Sequence, residues 1–268
     1  MIQTFCKYLT INRGLSENTV KAYREGLQNF AAWANKEEPG TRWSKVTKQL
    51  IDRYVADLVE RDYKPATIKQ HISALRTFYK TCMAMNMMDT NPARFVSTPK
   101  KGKDLPKTIE REAITAALAD PKVDAETKGA IAIIYETGLR LQELLDLRAS
   151  DIDTVAKSIK VNGKGRKERI VYYGSLCQQY GKYWHGFKHT QREVRHDIFK
   201  ALQPYSKANM LSPHALRHTY ASQLLNNGMS ITAISKLMGH EHQTTTERYA
   251  KLANLTAQTE YQEHKPTL

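Results

Sequence analysis

Cysteine is scarce in this chain, with three among 268 residues. Cys6, Cys82 and Cys177 are odd in number and far apart, which argues against a disulfide framework or a CxxC metal site and fits a reducing compartment. Long apolar runs are missing too. None approaches the ~18 residues of a membrane span, and the opening MIQTFCKYLTINR is too polar for a secretory signal. No internal repeat or low-complexity tract occurs. Acidic residues are in deficit, 27 against 41 Lys and Arg, for a formal charge of +14. A polyanion suits such a surface, because each neutralised phosphate releases condensed counterions. Basicity alone does not decide the matter, since RNA binders, ribosomal proteins and membrane-surface proteins share it. The expected location is the cytosol, with no membrane partner.

What is present is enough apolar sequence, 41% against 25% charged residues, to build a packed core. The pattern predicts a mostly α protein with a small antiparallel β element: a helical first domain over 1–90, a basic linker over 91–108 and a mixed α/β domain over 109–268. After the candidate cap Ser16, Val20, Tyr23, Leu27, Phe30, Ala31 and Ala34 follow helical spacing. Thr47 caps a second helix carrying Leu50, Ile51, Tyr54 and Leu58. Pro65 opens a third with Ile68, His71, Ile72, Leu75 and Tyr79, and a short helix before Thr10 completes a four-helix unit. Lys69, Arg76 and Lys80 share the third helix and are candidate DNA contacts; each is equally readable as a solvated cation. The stretch NPARFVSTPKKGKDLPK is rich in proline and cations and leaves little to bury. Its charge, including Lys100, Lys101 and Lys103, suggests a linker that tracks a phosphate backbone. Beyond it, helices are expected over 111–119, 128–136, 141–147, 192–202, 214–226, 231–238 and 245–252. A strand pair, 158–161 and 169–173, is expected around the turn NGKGRKE. Gly228 and Gly239 sit where helix C-caps belong, and Ser230 caps the next helix.

Four short segments of the second domain concentrate polar chemistry. In TGLRLQE, Arg140 and Glu143 fall on one face at a helix start; a surface ion pair is the bland alternative. In the turn GKGRKER, glycines allow close backbone approach and Lys164 sits near the tip. It lacks the GxxxxGK[ST] spacing of a phosphate-binding P-loop, and taken alone is a solvated basic turn. In SPHALRHT, His214 and Arg217 are three apart and point the same way. His214 and His218 have the spacing of a zinc helix, but Ala215 replaces the HExxH glutamate and Arg217 sets a fixed cation beside any metal. His218 reads as structural. The last segment is LMGH with His240, followed nine residues later by Tyr249, which in isolation reads as a packing residue.

Taken in order, Arg140, Lys164, His214-Ala215-Leu216-Arg217-His218-Thr219, Leu237-Met238-Gly239-His240 and Tyr249 resemble the tyrosine recombinase (phage integrase) family. Met238, where leucine is frequent, is a conservative departure. The preceding helical unit and basic hinge resemble that family's core-binding domain and linker, so nearly the whole chain is covered. A chain that starts directly on these helices suggests the simpler, Xer-like type without an arm-binding domain.

The resemblance implies that Tyr249 attacks a phosphodiester, giving a 3′-phosphotyrosyl enzyme and a free 5′-hydroxyl, with no metal and no cofactor. A phenol of pKa about 10 needs a positive site to activate it. Arg140 and Arg217 would clamp the non-bridging oxygens. His214 would help accept the tyrosine proton, His240 would hydrogen-bond the phosphoryl group, and Lys164 would protonate the leaving oxygen. Glu143 would orient His214 or an arginine. Implied partners are double-stranded recombination sites and a homotetramer, a dimer per site, with or without a paralogous recombinase, exchanging strands through a Holliday junction. The tail after Ala253 would pack on a neighbouring protomer or fray. A non-catalytic DNA-binding protein and a type IB topoisomerase are the rivals on the same scaffold. A metal-dependent nuclease would need clustered carboxylates, which the sequence lacks.

Overall fold

The computed structural model describes residues 1–99, 108–163, 168–180, 186–187, 189–208 and 210–239. The chain divides into two compact units, Met1–Gly102 and Lys103–Leu268. Among the described residues no helix is long and apolar enough to cross a membrane.

Among the described residues, the first unit holds four α-helices, α1 (Ile2–Ile11), α2 (Glu17–Glu37), α3 (Lys48–Glu60) and α4 (Pro65–Ala84). Their starts have local causes. The Ser16 hydroxyl accepts from the Thr19 amide and the Thr47 hydroxyl from the Leu50 amide, while Pro65 occupies the first turn of α4, where its missing N–H removes nothing. The apolar stripes meet in an aromatic core in which Phe5, Phe30, Tyr54, Phe78 and Tyr79 are buried. Each such side chain contributes roughly 1.5–3 kcal/mol by leaving water. The buried Tyr54 hydroxyl and His71 Nδ1 satisfy each other at 2.8 Å.

The proline-rich stretch departs from expectation at its start. Ala93 and Val96 are fully buried in the first core. Arg76 donates to the carbonyls of Ala93, at 3.1 Å, and Val96, and Asn91 Nδ2 donates back to the Arg76 carbonyl at 3.1 Å. Two apolar side chains and one guanidinium suffice to dock the segment, so the first unit runs beyond position 90.

The second unit is built around α6 (Ala125–Thr137), whose residues Thr127 and Gly129–Ile134 are buried. A helix that is apolar all round belongs at the centre of a core. It packs against α5 (Arg111–Ala119), α8 (Ser175–Gln179), α9 (Gln191–Leu202) and α10 (Pro213–Asn226). The short α7 (Leu141–Leu145) follows it, and α11 (Ile231–Met238) follows α10. Between α7 and α8 lies a three-stranded antiparallel sheet in the order β1 (Ile152–Asp153), β2 (Ser158–Asn162), β3 (Glu168–Tyr172). β1 and α8 are elements that periodicity does not predict; each is too short to show a period. The helix expected over 245–252 lies outside the described residues.

In the sheet, Ile159, Val161 and Val171 point into the core while Ile170 and Tyr172 point out. Val161 pairs with Arg169. Strand alternation therefore sets Arg169 on the same face as Val171, toward the interior.

Candidate active site

The last turn of α6 carries the first arginine into place. Asp124 caps the helix start through the Thr127 amide at 2.8 Å, and Gly138 ends it in the left-handed region at φ +65°. A Cβ at 138 would lie 2.4 Å from Cδ1 of Tyr220, so glycine is required both for the turn and for the close approach of α10. The chain then turns through Leu139 into α7 with Arg140 at its start. Glu143, in the third helical position, reaches back to the Arg140 amide at 2.8 Å, which closes the turn and fixes the carboxylate beneath the guanidinium.

Three guanidiniums surround that carboxylate. Arg140 Nη1 donates to Glu143 Oε1 at 2.7 Å. Arg169, from β3, donates through Nη1 and Nη2 to both oxygens at 2.8 and 2.7 Å. Arg217 Nη1, from α10, lies 3.9 Å from Oε2. Three cations and one carboxylate leave the group with two positive charges in excess. Burial by itself would push the Glu143 carboxyl up, but hydrogen bonds from Arg169 and the Arg140 amide, with the charge of Arg169, hold it at about 2 instead of 4.5.

The same arginines hold the end of α11. Arg169 Nε donates to the Leu237 carbonyl at 2.8 Å, Arg217 Nη2 to the Met238 carbonyl, and Arg140 Nη2 to the Gly239 carbonyl at 2.7 Å. Arg217 also donates to the Gly138 carbonyl. Carbonyls at a helix C-terminus lack intrahelical partners and carry partial negative charge, so cations belong there. Three consecutive carbonyls are each claimed by a different arginine. Arg140 keeps 41% of its side chain exposed, whereas Arg169 keeps 10% and Arg217 3%.

α10 positions the third segment. The Ser212 hydroxyl accepts from the Ala215 amide at 3.2 Å and Pro213 opens the helix. Arg217 and His218 are buried, while His214 is exposed and meets His218 edge to face at 4.3 Å between ring centroids. The structure thus brings Arg140, Glu143 and Arg217 together and sets His214 one turn before Arg217. Glu143 is met by arginines. Lys164, His240 and Tyr249 lie outside the described residues, as do Lys100, Lys101 and Lys103. In the first unit Lys69 and Lys80 are exposed. Arg76 is half-buried and donates through Nε and Nη2 to the Ala93 and Val96 carbonyls.

Arg169 is the residue that sequence reasoning passes over, because it reads as one more cation in a basic turn. A signal existed. It falls two residues before Val171 on the buried face of a strand, and a buried cation requires a carboxylate.

Family comparison gives two matches, to the phage integrase N-terminal SAM-like domain over residues 2–86 and to the phage integrase family over 107–188 and 177–255. Among curated relatives, the chain is 28% identical to tyrosine recombinase XerD of Oceanobacillus iheyensis, covering 99% of this chain and 98% of the relative. It is 31% identical to tyrosine recombinase XerC of Staphylococcus epidermidis, covering 94% and 92%. Among solved structures it resembles a lambda integrase dimer bound to a COC′ core site, with TM-score 0.72 at 15% identity, covering 92% of this chain and 93% of that one. It also resembles XerH recombinase bound to its difH substrate, with TM-score 0.70 at 19% identity, covering 92% and 79%.

Proposed function

The chain belongs to the phage integrase family, and on that premise we propose that Tyr249 is the nucleophile of a strand-transfer reaction centred on Arg140 and Arg217. The protein is a tyrosine recombinase that acts on DNA at specific sites. The observation that supports the residue assignment is the meeting of Arg140 and Arg217 around one carboxylate and one helix end, in a cluster with positive charge to spare.

Phosphoryl transfer needs little covalent help from a protein beyond a nucleophile; most of the catalysis is charge placed where charge develops. Guanidiniums keep their charge at any working pH and offer forked donors that match phosphoryl oxygens. Arg140, partly exposed, meets the phosphate first. Arg217 contributes its charge from within, and a direct contact requires it to exchange a carbonyl acceptor for a phosphoryl oxygen. His214 takes part in moving the Tyr249 proton, His240 hydrogen-bonds the phosphoryl group, and Lys164 protonates the departing 5′-oxygen. The 3′-phosphotyrosyl bond conserves the energy of the broken linkage, so a 5′-hydroxyl from a second duplex completes exchange without ATP. Residues 1–90 bind the DNA core site together with the basic stretch at 100–103, and residues 109–268 carry the chemistry. Four protomers, two per site, exchange strands through a Holliday junction, with or without a paralogous recombinase, in the cytoplasm at the nucleoid.

DNA recovered from cells with the Tyr249→Phe protein supplies the substrate for the test. A nicked form of that site, incubated with the protein in EDTA, is expected to give an SDS-stable protein–DNA adduct that Tyr249→Phe abolishes. An adduct that persists in Tyr249→Phe, or that needs a divalent metal, refutes the assignment. Relaxation of a single duplex without exchange between two sites favours the topoisomerase-like reading instead.

A further inference from the structure

Glu143 and the end of α11 are held by a residue that the reaction scheme leaves unused. Arg169 sits on the inward face of β3, and its side chain is only 10% exposed. Its Nε, Nη1 and Nη2 are all engaged within the protein, two on the carboxylate of Glu143 and one on the carbonyl of Leu237. Gly239 packs directly on it: a Cβ there would stand 3.2 Å from both Cδ and Nη1 of Arg169. One side chain therefore joins β3, α7 and the last turn of α11. β3 is also the strand reached from the turn that carries Lys164, and Arg169 pairs with Val161 just below that turn.

We propose that Arg169 is a positioning residue for strand cleavage, bolting the neck of the β2–β3 hairpin to Glu143 and to the α11 terminus so that Arg140 and the chain leading to His240 are held in register. This rests on the recombinase reading. Arg169 is not assigned as a third phosphate clamp, because reaching a phosphate would break its two-oxygen fork on the Glu143 carboxylate, whereas Arg217 has a neutral backbone carbonyl to exchange. It acts through Glu143, whose charged contacts among the described residues are Arg140 at the start of α7, Arg169 on β3 and Arg217 on α10, with Asp146, Arg148, Asp151 and Lys160 lining the adjoining cavity; the end of α11 presents carbonyls to the arginines. Lysine cannot replace it fully. A single ammonium meets one carboxylate well but cannot span the two-oxygen fork and the Leu237 carbonyl together.

The test uses the full chain carrying Arg169→Met or Arg169→Lys, with three measurements. These are the carboxyl titration of Glu143 by carbon NMR, assigned with Glu143→Gln; non-covalent binding to the recovered DNA site; and single-turnover cleavage of a suicide form of that site. In Arg169→Met the Glu143 titration is expected to rise by about one to three pH units. Cleavage should fall roughly 10–100-fold, the usual loss when a group that orients a site residue is removed, with binding unchanged. Arg169→Lys should restore the titration while recovering only part of the cleavage rate. A folded Arg169→Met that cleaves like wild type, or in which Glu143 titrates as before, overturns the proposal. If Arg169→Met does not fold by circular dichroism, Arg169→Lys decides: wild-type cleavage in that variant overturns it. If the wild-type chain forms no Tyr249 adduct, the recombinase chemistry fails on its own account. The Glu143 titration then still reports whether Arg169 holds the carboxylate.

Discussion

An alanine at position 138 meets two obstacles of different kinds. The backbone there has φ of +65°, a left-handed conformation that costs a residue with a Cβ roughly 1–2 kcal/mol. The added methyl would also lie 2.4 Å from Cδ1 and 2.7 Å from Cε1 of Tyr220, and 3.1 Å from Sδ of Met238. Tyr220 is buried on α10, so its ring has nowhere to retreat, and overpacking of this sort costs about 1–3 kcal/mol more. The sum is roughly 2–5 kcal/mol. Gly228 provides the control: its φ is +85°, but a Cβ built there meets nothing within 4 Å. Gly228→Ala therefore bears the backbone term alone. At about 2–4 °C of Tm per kcal/mol for a unit of this size, Gly138→Ala should melt ~4–20 °C lower and Gly228→Ala ~2–8 °C lower. Thermal melting of the two full-length variants by circular dichroism measures the difference. Covalent-adduct formation should fall in Gly138→Ala alone, because the Gly138 carbonyl seats Arg217. Equal melting of the two variants would refute the reasoning and remove the basis for that seat.

Three further outcomes follow from polar groups that are buried or half-buried. Glu143, held at about 2 where an unperturbed carboxyl sits at 4.5, contributes about 3 kcal/mol that is fully present above pH 4.5 and is lost as pH falls toward 2; urea unfolding of wild type and Glu143→Gln should accordingly differ at pH 7 and converge near pH 2. His71, whose imidazole burial holds below the ordinary 6.5, is neutral in the folded chain, so stability should drop as pH falls below 6.5 toward its folded value; hydrogen exchange of α4 amides at pH 7 and 5.5 checks this, and His71→Phe should flatten the dependence. Glu136 accepts from the amides of Gly174, Leu176 and Cys177, so Glu136→Ala should cost about 1–3 kcal/mol or more by orphaning them, read as a lower urea midpoint.

The helical periodicity of α2, α3 and α4 is legible because each is long enough to show several turns, and Ser16, Thr47 and Pro65 announce where they begin. Arg140, Glu143 and Arg217 are legible as a set because their segments keep fixed local contexts. Elements of a few residues, β1 and α8, carry no period and are settled by what they pack against. Ala93 and Val96 hide among prolines and cations, since composition averages over the two side chains that dock the segment. Arg169 is missed for a related reason: in a run of cations, nothing local says which one turns inward. Only the alternation of β3 and the distant Glu143 decide that.

The position of Glu136 and Gly138 at one end of α6 has a consequence for the length of that helix. Inserting one residue between Asp124 and Glu136 would advance the end by about 1.5 Å and rotate it by roughly 100°. Glu136 would then leave the three amides at the start of α8, and the turn at Gly138 would carry Arg140 and Glu143 together away from Arg169 and Arg217. α6 thus serves as a strut of set length, and natural variation in chain length should fall outside it.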